Sequence, residues 1–103
     1  MNPWAGEVAI VIDGRRQVMR LTLGALAELE AAMAADCLVD LVERFEAGRY
    51  AARDVIAVLA AGLRGGGWQG EAAALASAEI GGGPVEAARA AALLLARAFA
   101  VPR

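Results

Sequence analysis

The chain has 103 residues, 59% of them hydrophobic, with 10 basic and 12 acidic side chains, one cysteine and no histidine. This length fits a single domain spanning residues 1–103. The absence of His excludes a Ser-His-Asp triad, and the absence of Lys excludes a P-loop lysine and Schiff-base chemistry. With Cys37 as the single thiol, no Cys/His metal site can form. We therefore expect no catalytic centre, no metal and no cofactor.

Charge and hydropathy restrict the partners of the chain. A net charge of -2 and a pI near 5.0 lack the basic excess that is typical of nucleic-acid binding. The longest uncharged stretch in a helical pattern, residues 55–63, is about half as long as a membrane-spanning helix. The first residues lack the pattern of a signal peptide, and a lone Cys suits a reducing compartment. We expect a cytoplasmic protein that binds neither membrane nor nucleic acid.

The first predicted element is a β-hairpin over residues 7–21. An apolar, β-branched run precedes Asp13-Gly14, and these two residues tolerate the positive φ of a tight turn. A two-residue loop would pair Ile12 with Arg15, whereas a four-residue loop would pair Ile12 with Gln17. Because side chains alternate with period two, both registers put the same residues on the core-facing side, namely Val8, Ile10, Ile12, Met19 and Leu21.

Four or five helices are predicted after the hairpin from apolar periodicity. Thr22 and Asp36 are placed to cap the first two, Gly48 to end the second and Pro84 to begin the last. The helices are predicted over residues 23–35, 37–47, 51–64, 71–79 and 84–100. The third has the inward stripe Val55, Ile56, Leu59 and Leu63, and the last has Ala88, Ala92, Leu95 and Phe99. The predicted buried core is Ile10, Leu26, Leu41, Phe45, Leu59, Leu63, Leu95 and Phe99.

These elements predict an α+β fold that is mostly α, with an N-terminal β-hairpin followed by a cluster of four or five helices. Two polar features have competing interpretations. Residues 65–70 match G-x-G-x-x-G, but a predicted helix precedes the glycines where a dinucleotide site needs a strand, so a helix connection is favoured. Arg15, Arg16 and Arg20 either contact phosphate or an acidic partner, or protect a strand edge from aggregation.

Apolar side chains exceed what one small core needs. The third helix is apolar on nearly every face between residues 55 and 63, and Leu93 and Leu94 project away from the predicted inward stripe of the last helix. Such surfaces are either central in a fold or covered by a partner. The partner-binding residues predicted on this basis are Val58, Leu93 and Leu94, with Arg89 and Arg97 as their polar rim.

Several segments carry a resemblance to a known family: Gly6-Glu7, the Asp13-Gly14-Arg-Arg turn, the stretch from Arg20 to Glu30, the run from Arg49 through Asp54-Val-Ile-Ala-Val-Leu, and Ala61-Gly-Leu-Arg-Gly65. On these segments the chain resembles the small, phage-derived tail proteins of gene transfer agents. Members are described as tail tube or tail assembly chaperone proteins. The similarity covers nearly the whole chain and is most specific over residues 21–30 and 61–65.

This resemblance implies a non-enzymatic protein of tail morphogenesis. A tail assembly chaperone would bind the tape-measure protein or other tail proteins, would tend to self-associate, and would act in the cytoplasm or enter a phage-like particle. A structural tail tube subunit is the alternative, although tube proteins are usually larger and dominated by β-structure. A small nucleotide-binding regulator acting through residues 65–70 is the alternative from another class.

Overall fold

The computed structural model of the chain describes residues 6–33 and 38–99. Its elements, in chain order, are β1 (Val8–Ile12), β2 (Arg15–Met19), α1 (Leu23–Ala32), α2 (Leu38–Glu46), α3 (Ala52–Gly65), α4 (Ala72–Ala76) and α5 (Gly83–Ala98). The predicted fold class, a hairpin followed by a helical cluster, is confirmed. The predicted cap Asp36 and the thiol of Cys37 lie outside the described residues.

The hairpin adopts the shorter of the two predicted loops. Asp13 and Gly14 have φ values of 50° and 80°, and Ile12 pairs with Arg15. Positive φ at both turn positions matches the twist of the flanking strands and permits a two-residue connection. The predicted core face is also confirmed, since Val8, Ile10, Ile12 and Met19 are buried and Leu21 is half-buried.

Residues 79–81 lie along the outer edge of β1, which the periodicity did not indicate. The backbone N–H of Asp13 donates to the Glu79 carbonyl at 2.8 Å, and the Asp13 carboxylate accepts from the Glu79 N–H at 2.9 Å. Farther along, the Gly81 N–H donates to the Val11 carbonyl at 2.9 Å. This short pairing ties the segment before α5 to the hairpin and satisfies part of an edge that would otherwise be open.

The predicted cap at the start of α1 and the predicted glycine at the end of α2 are confirmed. Thr22 Oγ1 accepts a hydrogen bond from the Ala25 N–H at 3.1 Å and so caps α1. After α2, Gly48 has a φ of 71° and its N–H donates to the Phe45 carbonyl at 3.2 Å. The next N–H, of Arg49, donates back to the Arg44 carbonyl at 2.9 Å, which completes a Schellman motif.

A polar contact that the periodicity did not predict joins α2 to α3. The Arg44 guanidinium donates from Nη2 to Asp54 Oδ1 at 3.2 Å, and Asp54 Oδ2 accepts from the Ala51 N–H at 2.8 Å. Asp54 is 8% exposed, so its oxygens accept hydrogen bonds from these donors in place of water. The carboxylate thus caps the start of α3 and joins it to α2.

Helix α3 is the centre of the fold and contacts α1, α4, α5 and β2. Glycines at its C-terminal end permit the approach to β2. The Arg20 N–H donates to the Gly62 carbonyl at 2.8 Å, and a Cβ on Gly65 or Gly66 would lie 1.9 Å from the Arg20 carbonyl oxygen or 2.0 Å from that of Val18. The nearly uniform apolarity of α3 is therefore explained largely by central packing.

The predicted inward face of α5 is wrong by about 100° of rotation around the helix axis. The structure buries Ala87, Ala90, Ala91, Leu94 and Leu95. Of the predicted stripe, only Leu95 is buried, while Phe99 is 43% exposed. Leu94 fits against α3 because Gly62 has no side chain there, and a Cβ on Gly62 would lie 2.7 Å from Leu94 Cδ1.

The remaining differences are small. Leu26, predicted to be buried, is half-buried. Helix α1 ends at Ala32 with Met33 as its C-cap, three residues before the predicted end at residue 35. Helix α4 is shorter than predicted and spans Ala72–Ala76. Pro84 lies in the first turn of α5, as predicted, where its missing N–H has no helical acceptor to lose.

Candidate partner-binding groove

A wide groove of about 980 Å³ opens between α2, α3, α4 and α5. Its lining is mostly apolar and includes one carboxylate, Glu46, and one guanidinium, Arg89. The groove is therefore suited to binding an apolar surface.

Two helical stripes form the walls of the groove. Helix α3 contributes Ala52, Val55, Ile56 and Leu59, at positions i, i+3, i+4 and i+7, and α5 contributes Pro84, Val85, Ala88 and Ala92. Of these residues only Leu59 is fully buried. Much of what periodicity identified as core-facing in these two helices thus faces the groove, since apolar periodicity does not distinguish a covered face from an open one.

Aromatic and branched side chains stand at the mouth of the groove. The Phe45 and Tyr50 rings stack with centroids 4.7 Å apart and planes 7° apart, and Tyr50 is 38% exposed. Val85 is 81% exposed on the opposite wall. Tyr50 and Val85 thus add exposed apolar surface to the groove, while Phe45 is buried.

An exposed ion pair forms the charged rim on the α5 side. Arg89 donates from Nε and Nη2 to the two carboxylate oxygens of Glu86, at 2.8 and 2.6 Å. These hydrogen bonds lower the pKa of Glu86 and raise the pKa of Arg89, because each charged group stabilises the charged form of the other. The effect of the pair is to hold one guanidinium in place beside an apolar surface.

The predicted partner-binding residues do not converge on one surface. Val58 and Leu94 are both 0% exposed, so the expectation that they face a partner is wrong for the folded chain. Leu93 is half-buried, and the Arg97 side chain donates to the Glu7 carbonyl. Arg89 alone lies on the groove.

The groove residues that sequence reasoning missed are chiefly Tyr50 and Val85. The apolar spacing of α5 includes Val85, but it does not show whether that side of the helix is buried or open. Val85 adjoins Pro84 in the first turn of α5, and Ala88 and Ala92 follow at helical spacing, so the sequence contains two adjacent apolar stripes on one helix. Choosing between them requires knowing where α3 lies.

Comparison with known proteins identifies the family. A family model described as "Phage tail tube protein, GTA-gp10" matches residues 5–101. The chain belongs to this family of phage tail proteins. The family comprises structural and chaperone proteins of phage tails, and it is generally non-enzymatic. Neither a curated protein nor a solved structure gave a significant match to the chain.

Beyond the groove, the described residues hold a second, smaller pocket and no grouped metal ligands. Within residues 6–33 and 38–99, no three His, Cys, Asp or Glu side chains are grouped as metal ligands. A smaller pocket of about 210 Å³ between α1 and α3 is bordered by the ion pair of Glu28 with Arg64. None of the described helices has the length and hydropathy of a membrane-spanning segment.

The glycines at residues 65–70 do not form a phosphate loop. Helix α3 runs directly into them, where a dinucleotide fold has a strand. The carbonyl oxygens of Val18 and Arg20 occupy the space beside Gly66 and Gly65. Carbonyl oxygens repel phosphate oxygens, so the geometry does not favour the nucleotide-binding alternative.

Proposed function

We propose that this tail protein is a tail assembly chaperone that binds an apolar helix of the tape-measure protein in the groove between α3 and α5. The open, apolar groove is the observation that carries the proposal. Family membership supports the coarser role in tail assembly. Helix-in-groove recognition requires such a surface, because the partner inserts side chains spaced i, i+3, i+4 and i+7.

The shape of the groove suits a helix. Small side chains at Ala52, Ala88 and Ala92 line its walls and allow a partner backbone to approach closely. Leu59 and Leu75 lie deeper and are buried. Covering the exposed apolar surface supplies the driving force, at roughly 25 cal/mol for each Å² removed from water.

The rim contributes specificity. Glu46 and Arg89 border the apolar lining with opposite charges, and Arg89 is held in place by Glu86. Charged groups around an apolar centre favour one orientation of a partner and add little to affinity. We therefore place Arg89 in the partner-binding site, in the cytoplasm where tails are assembled.

The test compares two exposed apolar residues on different faces. Val85→Glu alters the groove, and Leu23→Glu alters α1, where Leu23 is 85% exposed and does not line the groove. In a pull-down with a fragment of the tape-measure protein from the same tail gene cluster, Val85→Glu should lose capture and Leu23→Glu should retain it. Both variants should melt like the wild type, because surface substitutions change stability by about 0.5 kcal/mol or less.

Leu93, with Arg97 beside it, remains a second predicted contact surface and belongs in the same assay. If Leu93→Glu folds and loses capture while Val85→Glu keeps it, the partner binds the Leu93 face, and the groove proposal is wrong. Capture by both variants would place binding elsewhere. A second copy of the chain is the competing occupant, and dissociation of a dimer by Val85→Glu would identify it.

The alternative role is that of a structural tube subunit. The single two-stranded hairpin in the described residues disfavours it, since tube proteins are usually dominated by β-structure. Quantitative mass spectrometry of purified particles separates the two roles. A chaperone should be absent from particles or present in trace amounts, whereas a tube subunit should be present in many copies per tail.

A further inference from the structure

The hairpin carries a basic cluster outside the groove. Arg15, Arg16 and Arg20 are all exposed, and among the described residues the structure records no ion pair for any of them. One arginine each of α2, α3 and α5 is, by contrast, paired with a carboxylate. The cluster is opposite in sign to the chain as a whole, whose net charge is -2.

Apolar residues lie beside these arginines on the outer face of the hairpin. The register pairs Val11 with Arg16 and Ala9 with Val18, and strand alternation places all four on the face opposite the buried one. Arg20 directly follows β2 and continues the alternation. Val11 is 41% exposed, while Ala9 and Val18 are half-buried. We define the surface formed by Val11, Val18, Arg16 and Arg20 as the basic hairpin face. Arg15 pairs with the buried Ile12, so it lies at the turn on the opposite side.

Protection of a strand edge does not account for this cluster. The chain itself covers part of the β1 edge, because the Gly81 N–H donates to the Val11 carbonyl. At the end of β2, the Arg20 N–H donates to the Gly62 carbonyl at 2.8 Å. At Arg20 the backbone N–H is therefore already hydrogen-bonded to α3 and is not open to another strand. Charge placed against edge-to-edge pairing explains Arg16 at most.

We infer that the basic hairpin face binds an acidic segment of a partner protein. Carboxylates of the segment contact Arg16 and Arg20, and its apolar side chains contact Val11 and Val18. Guanidinium groups bind carboxylates through paired, charge-assisted hydrogen bonds, and an apolar centre with a charged border is typical of protein interfaces. A nucleic acid fits less well, since the acidic side chains of the chain repel a phosphate backbone.

This interaction is independent of the groove. Neither the arginines of the basic hairpin face nor its apolar residues line the groove. The proposed function and this inference can therefore fail separately. Val85→Glu tests the groove alone, and substitutions at Arg16 and Arg20 test the basic hairpin face alone.

The experiment measures binding of a short fluorescein-labelled peptide of alternating Glu and Val to the whole chain by fluorescence anisotropy. The test variant is Arg16→Glu/Arg20→Glu. The matched control is Arg49→Glu/Arg53→Glu, which changes the net charge equally at two exposed positions away from the hairpin. The dissociation constant should rise about tenfold or more in the test variant and less than about twofold in the control.

Binding of the peptide should also weaken as salt is added, because exposed charges are screened. Equal losses in the test and control variants would show that only net charge matters and would overturn the inference. Tighter binding of a single-stranded oligonucleotide at the same arginines, or a dimer of the chain that the test variant dissociates, would overturn it too. If the charge-reversed variant fails to fold, Arg16→Gln/Arg20→Gln provides the same comparison.

Discussion

At the scale of single residues, the junction between α3 and the hairpin depends on glycine. Gly65 and Gly66 approach the carbonyl oxygens of β2 and its following residue so closely that any side chain would collide with backbone. Backbone cannot move aside as the end of a flexible side chain can. The role of these glycines is close packing, and the helix stop that the sequence also indicates is a second consequence of the same residues.

Substituting Gly66 with Ala should therefore destabilise the fold by about 2 kcal/mol or more, since the new Cβ would lie 2.0 Å from the Val18 carbonyl oxygen. Gly24→Ala is the matched control, because Gly24 lies in α1 with its nearest neighbouring atom at 3.9 Å. That control should be neutral or stabilising by about 0.5 kcal/mol. Free energies of unfolding in urea measure both. Equal stability of the two variants would contradict the close approach.

At the scale of elements, α5 decides how the apolar residues are divided between core and groove. One of its faces packs on α3, with Leu94 against Gly62, and the adjacent face lines the groove with Ala88 and Ala92. Both faces are rich in alanine and leucine, so the helix has little amphipathic contrast to specify its rotation. Contact with α3 selects the buried face.

Leu94→Ala should cost about 2–5 kcal/mol, because Leu94 is 0% exposed and its loss leaves a cavity against α3. Phe99→Ala should cost less than about 1 kcal/mol, although it removes a larger side chain, because Phe99 is 43% exposed at the end of α5. Thermal or urea unfolding gives both values. If Phe99→Ala lowered the free energy of unfolding more than Leu94→Ala, the inward face of α5 would be the one that the periodicity predicted.

At the scale of the whole molecule, α3 is surrounded by the hairpin and by α1, α4 and α5, yet a groove of about 980 Å³ remains open. A ligand that binds only the folded chain stabilises it in proportion to the logarithm of ligand concentration. Occupation of the groove should therefore be visible in the stability of the entire fold, beyond any effect on the groove residues themselves.

A tape-measure fragment at a concentration of about 100 times its dissociation constant should stabilise the wild type by roughly 2.7 kcal/mol. The melting temperature should rise accordingly, and the rise should be absent in Val85→Glu and preserved in Leu23→Glu. Differential scanning fluorimetry across a fragment titration provides the measurement. An equal rise in both variants would mean that the fragment binds outside the groove.

The sequence by itself determined the local structure of this protein. The turn at Asp13-Gly14, the cap at Thr22 and the helix end at Gly48 depend on the φ preferences and hydrogen-bonding groups of a few neighbouring residues. Such preferences act over short distances and are readable in the chain. The absence of His and Lys likewise excluded the catalytic chemistries that need those side chains. Segments that resemble the tail-protein family predicted the membership that the family model shows.

Tertiary structure alone decided which apolar face is covered. Val58 and Leu94 looked like surplus surface but are fully buried, while the Val85 and Ala88 face of α5 lines an open groove. The contact of Asp54 with Arg44, which joins α2 to α3, could not be predicted from apolar periodicity either. The hydrophobic effect is proportional to the area buried and has no direction, so an apolar stripe does not specify which neighbour covers it. That choice depends on where the glycines of α3 allow other elements to approach.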